Sequence, residues 1–76
     1  MMLYATAELY LPSGELLRQQ VVETCDGEVI SFVPFACENH AMTFVPEIHL
    51  HKKNSDASIV LYACVRNLSG EWIVLE

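Results

Sequence analysis

Seventy-six residues, 53% of them apolar and 18% charged, with a formal net charge of −6, describe a single small domain with its own core. So apolar a chain is not a disordered tail. The only basic residues are Arg18, Lys52, Lys53 and Arg66, of which one pair is adjacent; this argues against nucleic acid and anionic membranes as partners, because both are held by clustered Lys and Arg.

The opening Met1-Met2-Leu3-Tyr4 carries no basic segment and no long apolar one, so no secretion signal is expected there. No apolar run is long enough for a membrane-spanning helix. The cytoplasm is the expected compartment. Cys25, Cys37 and Cys64 agree with it: they are odd in number, lack Cys-x-x-Cys spacing and sit in or beside apolar runs, as reduced, mostly buried thiols do.

Residues 3–11 alternate, with Leu3, Ala5, Ala7, Leu9 and Leu11 on one face and Tyr4, Thr6, Glu8 and Tyr10 on the other. This is the period of a half-buried strand. Pro12-Ser13-Gly14 ends it. Two apolar runs then flank Asp26-Gly27, the pair of residues that best tolerates the positive φ angles of a type I′ hairpin turn. Residues 16–25 and 28–33 are therefore read as a hairpin closed by Pro34, and residues 36–41 as a polar connection.

From Met42 the alternation returns, with Met42, Phe44, Pro46, Ile48 and Leu50 opposite Thr43, Val45, Glu47, His49 and His51. Pro46 marks an edge strand or a kink between two short strands. Residues 52–56 are expected as a solvated turn. The nearly continuous apolar run 57–65 suits a strand buried on both faces, or the beginning of a buried helix. Asn67-Leu68-Ser69-Gly70 turns the chain into a closing strand at 71–75. About six short strands predict an all-β domain, a small antiparallel sandwich or partly open barrel spanning 1–76. The first and last strands are expected to offer sheet edges, and the aromatic residues to fill most of the core.

The order strand, Pro-Ser-Gly, strand, Asp26-Gly27, Glu28-Val29-Ile30-Ser31-Phe32-Val33-Pro34 resembles the N-terminal β-sandwich, the composite domain, of the metal-dependent amidohydrolase superfamily. The likeness covers residues 3–35. It extends faintly to Val45-Pro46-Glu47-Ile48-His49-Leu50-His51, which keeps the Pro and His-x-His of the segment that binds metal in that family. This chain has Glu47 where the family has Gly, and no Asp before His49. A (β/α)₈ barrel needs roughly 200 residues or more, so the catalytic half is not expected within these 76 residues. The resemblance implies a stand-alone relative of the accessory sandwich, without catalytic activity.

His49 and His51, two apart on a strand, share a face with Glu47 and are the candidate metal ligands, a His/His/Glu set. The alternative is a solvated face on which imidazole and carboxylate simply meet water. Cys37 and His40 could form a nucleophile and base, but nothing in the sequence fixes their geometry. The scattered carboxylates single out no acid/base couple, and Gly14, Gly27 and Gly70 all fall in turns rather than in a phosphate cradle. No catalytic residues and no cofactor are assigned. The expected function is a non-catalytic domain acting through protein contacts, as a homo-oligomer or with a protein partner; a metal- or ligand-binding module on the His-x-His face is the alternative.

Overall fold

Asp26 and Gly27 adopt φ angles of +53° and +84°, both positive as a type I′ turn requires. They join β2 (Leu16–Cys25) to β3 (Glu28–Pro34), antiparallel and with Cys25 opposite Glu28. The computed structural model describes residues 1–36, 41–55 and 58–76. Gly27 is buried, and a Cβ there would lie 3.1 Å from Val74 Cγ1. Glycine thus lets the last strand close over the hairpin tip. Between Glu23 and Thr24 the register shifts, leaving Ile30 of β3 without an opposite residue, a β-bulge that bends the hairpin.

Four further strands complete the molecule: β1 (Met2–Tyr10), β4 (Met42–Ser55), β5 (Ser58–Arg66) and β6 (Trp72–Val74). Among the described residues there is no helix, and residues 58–65 of the run expected as strand or helix are strand. The sheet order is β3-β2-β1-β4-β5-β6, and a pairing of Glu28 with Tyr62 joins β3 to β5. The first five strands therefore close into a barrel, with β6 added alongside β5. The pairings are antiparallel except that of β1 with β4, which is parallel. Reached through β4, Tyr62 is level with the C-terminal end of β1; reached through β3 and β2, it is level with the N-terminal end. That offset is the stagger that a tilted, closed sheet demands.

One of the expected edges is corrected by this order. β1 is internal, hydrogen-bonded on both sides, whereas the short β6 does end the order at an edge. The simple alternation of β1 also fails midway. Tyr4 and Thr6 point inward, then Leu9 does, so the buried parity changes between Thr6 and Leu9. The change falls on one line across three strands. Ala7 forms no bridge to Gln19 or to Pro46, Gln19 has φ +51°, and Pro46 has no N–H to donate. In β4 the same line separates half-buried Val45, packed on the core, from buried Ile48 and Leu50, leaving Phe44 65% exposed. Pro46 is thus a kink within one long strand rather than the mark of an edge strand.

Leu9, Val22, Ile48, Leu50, Ala63 and Tyr4 form the core. The Tyr4 hydroxyl donates to the Glu76 carbonyl, tying residue 76 to β1. Residues 52–55, expected as a turn, instead continue β4 and pair with the start of β5 as a two-stranded ribbon. From Leu61 back to Ser58, β5 pairs with β4 alone, which is why Ile59 is 65% exposed although the run 57–65 reads as buried on both faces. Two loops share one construction: the Leu11 N–H donates to the Glu15 carbonyl, and the Asn67 N–H to the Glu71 carbonyl, both at 2.9 Å. Asn67 Oδ1 adds bonds from the Ser69 and Glu71 N–H groups.

Candidate binding face

Beyond the kink, Ile48 and Leu50 point into the barrel, so Glu47, His49, His51 and Lys53 alternate outward. The registers decide what lies beside them. β1 places Glu8 next to Glu47 and Tyr10 next to His49. β5 places Cys64 opposite His49 and Tyr62 opposite His51, and β6 lays Val74 beside Cys64 and Trp72 beside Arg66.

These side chains form a continuous set of ring contacts. Tyr10 and His49 stack with centroids 4.4 Å apart and planes 12° from parallel. Trp72 meets His49 at 4.9 Å, tilted by 59°, and His51 edge-on at 4.4 Å. The Arg66 guanidinium lies 4.4 Å from the Trp72 centroid, and the Lys53 ammonium 5.8 Å from that of Tyr62. Trp72 keeps 39% of its surface exposed. Aromatic rings expected in the core thus coat an outer wall.

The polar groups follow the same line. Glu47 Oε1 lies 2.6 Å from His49 Nε2, and Arg18 Nη1 lies 3.3 Å from Glu8 Oε2. Loss of solvent, and then the carboxylates Glu8 and Glu47, push the Tyr10 phenol above its ordinary range, against the opposing pull of Arg18. Burial pushes the Cys64 thiol up as well, so it is a poor nucleophile at neutral pH.

Past the pairing of His49 with Cys64, β4 and β5 separate. The opening is a groove of about 760 Å³ with an apolar floor of Val45, Val65 and Leu75, and Glu47, His49, Arg66 and Trp72 at its rim. On the other side of Trp72, a second hollow is lined by His51, Lys53, Tyr62 and Val74. Trp72 is the ridge between them.

Of the candidate metal ligands, the structure brings Glu47 and His49 together, while His51 turns its ring to the edge of Trp72. Among the described residues no three His, Cys, Asp or Glu side chains are grouped to hold a metal ion. Cys37 and His40 lie outside the described residues. Sequence reasoning did not single out Tyr10, Lys53, Arg66 or Trp72 for this face. Parity was a usable signal for two of them, since Tyr10 follows the polar face of Glu8 and Lys53 follows His51. Nothing local places Trp72, because its position depends on β6 pairing with β5.

Compared with known proteins, the chain matches no family model, no curated protein and no solved structure.

Proposed function

We propose that this domain is non-catalytic and acts through protein contacts, with the outer face of Tyr10, His49 and Trp72 as its contacting surface. The observation that carries the reading is the placement of the rings: a Tyr, two His and the single Trp meet on an outer wall, half exposed. Interface centres are enriched in rings of this kind, which bring large area at low entropy cost. The likeness of residues 3–35 to the accessory sandwich of amidohydrolases supports an auxiliary rather than a catalytic role. So does the chemistry, in which a buried Cys64 thiol with a raised pKa and a ring-stacked His49 supply no activated nucleophile.

Photo-cross-linking in cells tests the reading, with benzoylphenylalanine replacing Tyr10, a ring for a ring. A discrete protein adduct is expected, absent when the same group replaces Ser13 in the exposed turn. No adduct at position 10 would overturn the assignment of this face. The contact of Glu47 with His49 favours a second reading, a metal- or ligand-binding module on Glu47, His49 and His51. A stoichiometric ion in untagged protein, lost in the His49→Ala/His51→Ala double variant, would establish it in place of the first.

A further inference from the structure

Outward along β4 stand a carboxylate, two imidazoles and an ammonium: Glu47, His49, His51 and Lys53. At roughly 3.3 Å per residue they span about 20 Å. Neighbouring strands reinforce the order. Glu8 sits beside Glu47, Tyr10 and Trp72 lie against His49, and Tyr62 sits beside His51 and under Lys53. The face is acidic at one end, aromatic in the middle and basic at the other.

Within the chain the acidic end is offset by two exposed cations, Arg18 on Glu8 and Arg66 at the rim it shares with Glu47. Glu8 and Glu47 are directly opposite each other across β1 and β4, a like-charge pairing that costs stability. The contacts there are Arg18 on Glu8 and the His49 ring on Glu47. At the other end, Lys53 has no carboxylate partner among the described residues. A net charge of −6 opposes self-association in general, so a contact between copies has to be locally complementary. This stripe is complementary to itself. A second copy turned half round, about an axis that lies in the interface and crosses β4 at right angles between His49 and His51, brings each Lys53 to the other chain's Glu47, with Glu8 beside it. Its rings then meet rings at the centre.

We propose that the outer face of β4 is a two-fold interface between two copies of this chain, with reciprocal Glu47 to Lys53 ion pairs flanking a ring cluster around Trp72. The proposal rests on the reading of this face as a protein-contact surface, and it names the partner. Two-fold contacts are isologous, so one complementary pair occurs twice. An interface of standard size takes about 800 Å² from each partner, about a sixth of the 5199 Å² of surface here.

Charge exchange tests it by sedimentation velocity on the full chain. The wild type dimerises. Glu47→Lys alone and Lys53→Glu alone, both at exposed positions, each weaken the dimer by about 10-fold or more. Mixing the two variants restores it, because each mixed contact again joins opposite charges. A wild type that stays monomeric up to millimolar concentration overturns the proposal, while a cross-link from position 10 to a different protein would leave the contact surface standing. A dimer indifferent to either substitution puts the interface elsewhere. Weakened single variants that fail to recover on mixing overturn the antiparallel pairing.

Discussion

Thr24 is fully buried in β2, and its Oγ1 has no hydrogen-bond partner among the described residues. A hydroxyl taken from water without compensation costs about 1–3 kcal/mol. Thr24→Val keeps the branched shape, suits a strand and removes the orphan. It is expected to stabilise the protein by about 1 kcal/mol, which for a domain of this size raises Tm by about 4–8 °C; an unchanged or lower melting temperature by circular dichroism would mean that the hydroxyl is satisfied. Cys64 and Cys25 form a contrast on the same principle of access, the first buried and the second exposed. A thiol reagent acts on the thiolate, so in native protein at neutral pH it should modify Cys25 and reach Cys64 only on unfolding, read by peptide mass mapping. The linkage has a definite sign. With its folded pKa raised above 9.0, the Cys64 thiol contributes stability that is fully present below that pH and is lost as the pH climbs past it. Denaturant titrations across that range should show the decline, and Cys64→Ala should flatten it.

β4 does two jobs along its length. From Met42 to His49 it pairs with β1, and from His49 onward with β5, as a ribbon whose far end has lost the support of β3. Local opening costs little where few apolar contacts back the hydrogen bonds. Amide exchange should therefore be slowest around Leu9, Val22 and Ile48, and fastest in 52–55 and 58–60; equal protection across β4 would show that the ribbon is braced by something beyond these contacts. The hairpin at Asp26-Gly27 was legible because turn type depends on two adjacent residues, and the outward set Glu47, His49 and His51 because alternation is local. The parity change at Ala7 was not, since it arises from Gln19 and Pro46 meeting Ala7 across two neighbouring strands. The aromatic face was hidden for the same reason. Tyr10, His49 and Trp72 come from three strands, and their meeting follows from a parallel pairing and a three-residue edge strand that no window of sequence contains.

At the scale of the molecule, closure depends on very little backbone. One pairing, Glu28 with Tyr62, joins β3 to β5, and the tip of the same hairpin is covered by Val74 and Leu75 beyond it. Barrel closure and the docking of β6 therefore meet at Gly27. Substituting alanine there adds a Cβ 3.1 Å from Val74 Cγ1 and imposes a φ of +84° that L-residues resist, a cost of about 1–3 kcal/mol. Trp72 is the single tryptophan and belongs to β6, so its fluorescence follows that strand while far-UV circular dichroism follows the whole sheet. If closure and docking are one event, the two signals coincide in denaturant for the wild type, and Gly27→Ala moves both midpoints down together with the slope unchanged. If β6 were instead an independently bound flap, the Trp72 transition would come first, and the substitution would widen the interval between the signals. That outcome would divide the molecule into a barrel and a loosely held edge, and the ring cluster would no longer be a preformed surface.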